Sequence, residues 1–590
     1  MKLKLYTLFI LLLCGMATYS QEQAPDWAWA KSAEGNGYDW VNGIVTDAIG
    51  NVYITGYFDG TTITFGNTIL TNANEGRSDI FIVKYAPNGN VIWAKRAGGN
   101  ENDRSNNITT DEEGNVYLTG YFGSSTLTFG TTTLTNTGGT DIFIVKYTAT
   151  GDVVWAKSAD GGYCDEGIGI TTDEAENVYL TGYFDSNSIT FGNITLNNLG
   201  NNNTHDIFIA KYNSNGNVIW AKSFGGNSAD YGTSITTDNT GNIYFIGNFS
   251  SSTITIGNTT LTQVGGGDIF FVKCDINGNV IWAKSFGGSN YDGGISIITD
   301  EIGSVYFTGS FMSSTVIFDT TTLTNINAGY YDIFIAKYNP NGNMIWAKSA
   351  GGGDNDVSNS ISTDKVGNVY LTGDFSFSNI TFGDITLTNA GYDDIFITEY
   401  DSNGNVLWAK RAGSDNFDYG RSITIDAMGN IYLTGDFWSN TITFGNTTLN
   451  NTGFLDVFTT RLNLSTGNNG PVCEGFPLNL NVSSNPEATF AWTGPNGFSS
   501  AEQNPIVSNS ATTAMSGTYD VTVTLNGMSG TGSTQVTVKP TPSTPVASNN
   551  GPVCSGNVLS LTASTIPDAT YLWTGPNGFT STEQNPIVSN

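Results

Sequence analysis

NVYITGYF, residues 51–58, is the stretch of sequence that decides the fold, because it returns six more times along the chain with small changes. Apolar and polar residues alternate within it, and a glycine-asparagine turn leads into it, which predicts a β-strand with one buried face. Its tyrosine recurs every 62 to 65 residues, as Tyr53, Tyr117, Tyr179, Tyr244, Tyr306, Tyr370 and Tyr432. A strand repeated at nearly constant spacing indicates a repeat protein.

Each copy contains four strand-like segments. In the second copy these are residues 107–111, 116–122, 141–147 and 153–157. Glycines at the two short connections, Gly114 and Gly151, supply the positive φ that tight hairpin turns need. A longer insert joins the second and third segments. Both tight turns should therefore lie on one face of the molecule, and the inserts and the connections between copies on the other, which we call the long-loop face.

All variation in repeat length lies in the insert. Successive tryptophans of the recurring Trp-Ala-Lys motif are 64, 62, 65, 62, 64 and 62 residues apart, and the inserts hold 20, 18, 21, 18, 20 and 18 residues. Subtraction leaves 44 residues in each copy. A unit of about 40–45 residues is typical of one four-stranded propeller blade. We therefore expect the insert to be a protruding loop outside the packed unit.

The two ends of the repeat region complement each other. The first copy begins with Trp29 of a Trp-Ala-Lys segment, whereas the last copy stops after residues 456–458 and lacks that segment. We predict that the strand around residues 27–32 pairs with the strand at 456–462 and closes seven blades into a ring. Closure would remove exposed sheet edges. An open solenoid or a parallel β-helix is the competing arrangement.

These motifs carry a resemblance to a known family. The Gly-Asn-Val-Tyr-Leu-Thr-Gly, Asp-Ile-Phe-Ile and Trp-Ala-Lys segments of residues 27–465 resemble the repeats of the SBBP family, named for a seven-bladed β-propeller. The expected fold class is all-β, with a seven-bladed β-propeller over residues 21–465 closed by the N-terminal strand. The resemblance implies no settled activity.

The pattern changes after residue 465. Gly-Pro-Val-Cys and Trp-Thr-Gly-Pro-Asn-Gly-Phe motifs predict a β-sandwich at 466–540, a proline-rich linker at 541–548, and a second module at 549–590 whose last strands are expected further on. The modules resemble the Ig-like repeats of type IX-secreted surface proteins of gliding bacteria. That resemblance implies a disulfide from Cys473 to a cysteine after Asn-Gly, but Met528 stands there, so the state of Cys473 stays open.

Composition limits the location and the partners. The chain has 22 Lys and Arg against 52 Asp and Glu, a net charge of -30, which argues against nucleic acid or anionic lipid as a partner. Residues 1–20 have the basic start, apolar run and small residue (Ser20) of a signal peptide. Because Leu13 precedes Cys14, a lipoprotein is the weaker alternative. We expect a secreted or cell-surface protein, without membrane insertion after signal removal and of unknown oligomeric state.

One acidic position recurs ten residues after each motif tryptophan. Its members are Asp39, Asp103, Asp165, Asp230, Asp292, Asp356 and Asp418. This aspartate ring is the candidate ligand-binding site on the long-loop face and the candidate Ca²⁺ site, since hard cations prefer several oxygen ligands. Neighbouring blades are too far apart to share one ion, because packed sheets lie about 10 Å apart. The alternative is that each carboxylate accepts backbone N–H bonds and fixes its loop.

Other notable residues have structural interpretations. The recurring aromatics, such as Trp93, Tyr117 and Phe143, alternate correctly for core packing. The single histidine, His205, lies in an asparagine-rich insert, and we expect it to be a solvated surface residue. Cys164 has no histidine in its own loop to activate it. We therefore predict no catalytic residues and no cofactor apart from Ca²⁺.

Two functions remain open. The first is a non-enzymatic binding or adhesion scaffold, with the propeller as a platform for a glycan or a surface protein and the Ig-like modules as spacer, since seven similar units favour avidity. The alternative is an extracellular polysaccharide lyase or hydrolase that uses carboxylates. Its nearest candidate residues are Arg104 beside Asp103, the pair Asp165 and Glu166, and Arg421.

Overall fold

A computed structural model describes residues 7–9, 24–200, 204–525, 527–541, 545–566 and 570–588. The all-β prediction is confirmed: the helical elements of these residues are three short 3-10 turns, Pro495–Gly497, Thr513–Met515 and Pro576–Gly578. The predicted signal peptide lies outside the described residues except for Thr7–Phe9, a strand that pairs with Leu572–Thr574. Across the described residues, no helix is long and apolar enough to span a membrane.

Residues 24–200 and 204–464 form seven antiparallel sheets, which we number 1 to 7 along the chain. Six of them have four strands, and sheet 2 has six because the hairpin of the following insert pairs with its outer strand. The inner strands are Asp39–Thr46, Asp103–Thr110, Asp165–Thr172, Asp230–Thr237, Asp292–Thr299, Asp356–Thr363 and Asp418–Ile425. The second strands are Val52–Phe58, Val116–Phe122, Val178–Phe184, Ile243–Phe249, Val305–Phe311, Val369–Ser376 and Ile431–Phe437. The third strands are Asp79–Tyr85, Asp141–Tyr147, Asp206–Tyr212, Asp268–Cys274, Asp332–Tyr338, Asp393–Tyr400 and Asp456–Leu462. The outer strands are Val91–Ala97, Val153–Asp160, Val218–Phe224, Val280–Phe286, Met344–Ala350, Val406–Ala412 and, in sheet 7, Trp27–Ser32.

Sheet 7 is assembled from both ends of the repeat region. Trp27–Ser32 pairs antiparallel with Asp456–Leu462, which places Trp29 opposite Arg461. The predicted pairing of these two strands is therefore present, and the antiparallel sheets exclude a parallel β-helix. Sheet 1 also contacts sheet 7 at the inner strands, where the Thr46 hydroxyl donates to the Ile425 carbonyl at 3.4 Å.

The expectation that the insert is only a protruding loop is wrong. Each insert contains a short hairpin whose apolar side chains are buried; in sheet 1, Ile63, Phe65 and Leu70 belong to the same core cluster as Phe58. The hairpins are Thr62–Phe65 with Thr68–Thr71, Thr126–Phe129 with Thr132–Thr135, Ser188–Phe191 with Ile194–Asn197, Thr253–Ile256 with Thr259–Thr262, Thr315–Phe318 with Thr321–Thr324, Ile380–Phe382 with Ile385–Leu387, and Thr441–Phe444 with Thr447–Asn450. Length varies only in the residues that follow each hairpin, which is why the packed unit could not be separated from the insert by length alone.

The repeated motifs are explained by packing. The glycine of the second strand, Gly56 in sheet 1, lies so close to its neighbour that an added Cβ would be 1.9 Å from the Trp40 carbonyl oxygen. The motif tryptophans connect successive sheets, as predicted for core residues: Trp93 lies against the turn glycine Gly151 and donates its indole N–H to the Ala149 carbonyl at 3.3 Å. Sheets 1 to 5 and sheet 7 are each attached in this way to the turn of the next sheet.

The chain after Leu464 forms separate small sheets. In the first module, Thr466–Asn468, Leu478–Val482 and Ile506–Ser508 form one sheet, Phe498–Ser500, Thr489–Gly494, Gly517–Leu525 and Met528–Val536 form a second, and Val472–Cys473 pairs with Val538–Lys539. In the second module, Ala547–Asn549, Leu559–Ala563 and Ile587–Val588 form one sheet, and Leu572–Thr574 pairs with Thr580–Ser581. The core of the first module lies between its two sheets, around Trp492, Tyr519 and Leu480, with Met528 packed against it. Among the described cysteines, Cys164, Cys274 and Cys554 are free and Cys473 is disulfide-bonded.

The first module packs against sheets 6 and 7 on the face that carries the tight turns, opposite the long-loop face. The Ser484 hydroxyl donates to the Met428 carbonyl at 2.5 Å, and the Met428 side chain belongs to the core cluster of the module. The Trp408 indole N–H reaches the Ser465 hydroxyl at 3.1 Å. The module is therefore in direct contact with the repeat region, where the chain itself leaves sheet 7.

A single residue breaks the repeat at this junction. The position near the end of the third strand is a lysine in sheets 1 to 5, and Lys84 donates to the Ala149 carbonyl in the turn of the next sheet at 3.0 Å. In sheet 6 the residue is Glu399, fully buried, and it accepts hydrogen bonds from Trp408 at 2.5 Å and Ser483 at 3.2 Å. The glutamate fits because the next turn is replaced by the module, which offers donors instead of carbonyls.

We predict that Glu399→Lys disrupts this junction. A lysine here would replace the acceptor oxygens used by Trp408 and Ser483 with further donors, and a mismatched buried charge of this kind costs about 3–5 kcal/mol. We expect a lower melting temperature and rapid proteolysis near residues 463–466 in the full chain. Glu399→Gln is the matched control, because it keeps the shape and one acceptor oxygen and should have a smaller effect. If the lysine variant has the melting temperature and the protease resistance of the parent chain, Glu399 does not stabilise the junction.

Candidate functional site

The aspartate ring lies at the start of the inner strands, on the long-loop face. Each of its seven members is the first residue of an inner strand, and each is completely buried, with 0% exposure. The carboxylates are therefore directed into the protein, and none has surface to offer a ligand approaching from solvent.

Five of the seven carboxylates have a serine partner. Asp103 illustrates the arrangement: it accepts hydrogen bonds from the Ser124 hydroxyl at 2.7 Å, the Ser124 amide at 3.1 Å and the Gly99 amide at 2.8 Å. The same hydroxyl contact joins Asp165 to Ser186, Asp230 to Ser251, Asp292 to Ser313 and Asp418 to Ser439. This is the geometry expected of a carboxylate that fixes its own loop.

The two exceptions are Asp39 and Asp356. The serine lies two residues after the phenylalanine of the second strand, and this position is Gly60 in sheet 1 and Phe377 in sheet 6. Among the described residues, neither oxygen of Asp39 or of Asp356 has a hydrogen-bond partner of good geometry. The loss of the serine therefore leaves two buried carboxylates unsatisfied, which is costly for the fold.

Burial changes the acidity of the whole ring. It raises the pKa of Asp103 to about 6, and the pKa values of Asp165 and Asp418 to about 7, although the serine hydroxyls act in the opposite direction. Without a serine, burial and the charge of Asp332 raise the pKa of Asp356 to about 9. Burial and the charge of Asp456 also raise the pKa of Asp39 well above its ordinary value.

The structure does not gather these aspartates around one ion. In the described part of the chain, no group of three or more His, Cys, Asp or Glu side chains is placed to hold a metal. Ca²⁺ binding by the ring therefore stays a prediction.

Sequence analysis missed a second aspartate set, the first residue of the Asp-Ile-Phe motif. Asp79 is fully buried and accepts the Ala73 amide at 2.7 Å, and Asp141 accepts the Thr137 amide at 2.8 Å. A Cβ on Gly98 would lie 1.9 Å from an oxygen of Asp79, which explains the recurring glycine after the outer strand. The sequence pattern that could have identified this set is the recurrence of the aspartate at the same position in every copy.

The residues that line the centre are placed there by β-bulges. Each inner strand has a register shift three residues after its ring aspartate, for example between Ser105 and Asn107. A bulge re-aims the extra side chain, and the bulge residues of sheets 1, 2, 3, 6 and 7 line one central cavity of about 320 Å³ together with Glu166. These bulge residues are Asn42, Asn106, Ile168, Asn359 and Arg421.

The bulge asparagines also connect neighbouring sheets. The Asn42 amide donates to the Ser105 carbonyl at 2.8 Å, and the Asn106 amide to the Gly167 carbonyl at 2.9 Å. Asn359 makes the same contact to the Gly420 carbonyl at 2.9 Å. The cavity wall is therefore polar, and it is held in place by bonds between successive inner strands.

The residues considered for catalysis meet near this cavity. Glu166 lines both the central cavity and a side cavity of about 450 Å³ that also contains Tyr121 and Cys164. Burial raises the pKa of Glu166, against hydrogen bonding from Tyr183. Arg421 is on the opposite wall. Of the candidate residues, the structure thus brings Glu166 and Arg421 to one cavity, whereas Asp103 and Asp165 are buried behind it.

Arg421 is fixed by a buried carboxylate. Its guanidinium donates to both oxygens of Asp436, at 2.9 and 3.0 Å, and lies over the Tyr419 ring at 4.4 Å. Burial raises the pKa of nearby Asp374 to about 7 even though Arg421 lowers it. The arginine is therefore oriented before any ligand arrives.

The expectation that His205 is a solvated surface residue is wrong. Its ring stacks on Tyr231 at 5.0 Å and meets the Tyr183 ring edge-on at 4.6 Å. Burial lowers the pKa of His205. The composition of the insert suggested exposure, but the residue directly precedes a buried third strand and is carried inward with it.

Comparisons with known proteins agree with the repeat architecture. The SBBP family model, a β-propeller repeat, matches residues 92–121. An uncharacterized WD repeat-containing protein of Acanthamoeba polyphaga mimivirus is 28% identical over 444 residues, which are 63% of this chain and 32% of that protein. The chain therefore spans about a third of the length of this curated relative.

The comparison with solved structures found matches of low similarity in both shape and sequence. A mutant of Synechocystis apocarotenoid oxygenase is 10% identical, with a TM-score of 0.36 over 75% of this chain and 94% of that one. The N-terminal four Ig domains of Dscam1 are 11% identical, with a TM-score of 0.11 over 38% of this chain and 86% of that one.

Proposed function

Because the chain is a β-propeller repeat protein with WD-repeat-like sequence, we propose that it is a non-enzymatic binding scaffold that holds its ligand at the mouth of the central cavity. The observation that carries the proposal is the wall of this cavity. Glu166 and Arg421 each occur in one repeat only at their positions, and they face the same 320 Å³ space. Scaffold residues recur in every copy, whereas these side chains do not, which favours a binding role for them.

The proposal includes the finer architecture. Seven sheets closed by the N-terminal strand form the propeller head, and two Ig-like modules act as a spacer. The pairing of Trp29 with Arg461 and the contact of Thr46 with Ile425 support closure. The signal-like residues 1–20 support a secreted or cell-surface location. Glycans and surface proteins are the partner classes considered.

An extracellular lyase or hydrolase is the second candidate. It is favoured by the raised pKa of Glu166, which burial produces and which would suit a general acid. It is disfavoured by the position of the ring carboxylates. Asp165, the neighbour of Glu166, is completely buried and bonded to Ser186, so Glu166 has no carboxylate partner from the ring.

A binding screen tests the proposed function. The full secreted chain is presented to immobilised glycans and surface proteins, with Ca²⁺ and with EDTA, and turnover of each hit is measured. We expect binding without turnover, weakened several-fold by Glu166→Gln and unchanged by Glu502→Gln, an exposed control in the first module. Turnover abolished by Glu166→Gln or Arg104→Ala would establish the enzyme instead. If no glycan or surface protein binds, the proposed scaffold function is refuted.

A further inference from the structure

A continuous row of aromatic and arginine side chains runs from the rim of the long-loop face to the central cavity. From the rim inward, Phe377 meets Tyr392 at 5.4 Å, Tyr392 stacks on Phe417 at 4.9 Å, and Phe417 stacks on Tyr419 at 6.3 Å. Arg421 then lies between the rings of Tyr419 and Trp40, at 4.4 and 5.3 Å. The row ends where Trp40 stacks on Tyr57 at 6.2 Å and Arg104 covers Tyr57 at 4.4 Å. We call these eight side chains the aromatic track.

We infer that the aromatic track binds a carbohydrate chain, a neutral oligosaccharide laid from the rim into the cavity. The inference rests on the proposed binding function and names its ligand class. Aromatic faces stack on the apolar faces of sugar rings, and fixed polar groups beside them bond the hydroxyls.

The track is not required by the fold. The position after the ring aspartate is Trp40 in sheet 1 and Tyr419 in sheet 7, but Gly293 in sheet 5 and Val357 in sheet 6. A residue needed for packing would recur, as Tyr53 does in all seven copies. The track side chains therefore serve something that the symmetric core does not need.

The rim end of the track is maintained at a cost to stability. Phe377 is 59% exposed and has φ of 49°, a left-handed conformation that bulky residues rarely adopt. It also stands where five other sheets have the serine that bonds the ring aspartate, which leaves Asp356 unsatisfied. An exposed aromatic held in strain above an unsatisfied carboxylate is typical of a functional position.

The charges select a neutral ligand. The net charge of -30 disfavours polyanions such as nucleic acids. Cationic ligands that recognise aromatic faces are disfavoured deeper in the track, because Arg421 and Arg104 already occupy the faces of Tyr419 and Tyr57. The open faces are those of Phe377 and Tyr392, the latter 47% exposed. Guanidinium N–H groups of Arg421 and Arg104 that Asp436 and Ser78 do not use remain to bond hydroxyls.

The length of the track indicates a chain rather than a single sugar. Its members come from sheets 6, 7, 1 and 2, so one ring could contact only a small part of it. Affinity should therefore increase with the number of sugar units until the track is filled.

The test is a calorimetric titration of the full chain with neutral β- and α-linked gluco-, xylo- and N-acetylglucosamine oligosaccharides of one to six units. We expect binding that strengthens with length and weakens at least tenfold in Phe377→Asn and Tyr392→Ala. Asparagine is chosen because it tolerates positive φ, so that variant should keep its melting temperature. Tyr330→Ala and Phe476→Ala, which remove exposed aromatics outside the track, should leave affinity unchanged.

The outcomes separate the two proposals. Equal affinity of the track variants and the parent chain, or no affinity for any oligosaccharide, would overturn the carbohydrate assignment. If a surface protein then binds the cavity mouth in the binding screen, the scaffold function stands without the carbohydrate assignment. If neither class binds, both proposals fail.

Discussion

Deleting residues 26–32 is expected to lower the melting temperature of all seven sheets together, by more than about 10 °C, in one cooperative transition. The deletion removes the outer strand of sheet 7, including the edge-on contact of Trp27 with Phe444 at 4.8 Å. It also removes the Trp29 indole N–H donated to the Pro87 carbonyl of sheet 1 at 3.0 Å. Both the last sheet and its attachment to the first would be lost, so the effect should reach the whole ring.

Two point variants calibrate this effect. Trp29→Ala removes one half-buried ring but keeps the strand, and Trp220→Ala removes the equivalent ring between sheets 3 and 4, whose N–H reaches the Ile276 carbonyl at 3.3 Å. Both should cost similar amounts, at most about 3 kcal/mol, and less than the deletion. A deletion variant that shows a separate early transition of one sheet, or none, would contradict closure.

Stability is expected to fall as pH rises from 5 to 8. Burial raises the pKa of Asp103 to about 6 and those of Asp165, Asp206 and Asp418 to about 7. A carboxyl whose folded-state pKa is raised binds its proton more tightly when folded. Its contribution is therefore present at low pH, declines above the unfolded pKa near 3.9, and is fully lost above the folded pKa.

The total effect should be large because many groups act together. Each carboxyl changes stability by up to about 1.4 kcal/mol per pH unit between its two pKa values. Burial alone would raise the pKa of Asp238, but hydrogen bonds from Asn242 and Thr240 lower it, so this group acts in the opposite direction. Carboxyl groups with a raised pKa outnumber those with a lowered pKa. The melting temperature should therefore decrease by on the order of 10 °C between pH 5 and pH 8.

Ser124→Ala tests the source of the pH dependence. Without the hydroxyl that donates to Asp103 at 2.7 Å, the charged carboxylate loses a partner and its folded pKa should rise further. We expect a loss of about 1–3 kcal/mol at pH 8 and a smaller loss at pH 5. Ser125→Ala, one residue away and exposed, is the control. Melting temperatures of the parent chain that rise with pH would show that the buried aspartates do not govern stability.

Much of the site depended on contacts that no local pattern encodes. The spacing of the ring aspartates is visible in the sequence, whereas their burial and their serine partners depend on tertiary contacts such as that of Ser124 with Asp103. The bulge residues, such as Asn106, belong to short strands of mixed polarity. A one-residue shift of the pairing register there leaves no recognisable pattern in the sequence. The polar neighbours of His205 in the chain are not its neighbours in space, so the composition of the insert predicts an exposure that the residue does not have.

The repeat itself determined the class, the strand order and the pairing of Trp27–Ser32 with Asp456–Leu462, because identical units can pack in only a few ways and incomplete ends must complete each other. Tertiary structure alone decided which side chains share the cavity. Arg421 and Trp40 are separated by most of the chain, yet they lie 5.3 Å apart. The cavity at the centre of the inner strands is lined by residues of sheets 1, 2, 3, 6 and 7, and sequence separation carries no information about which of them will meet.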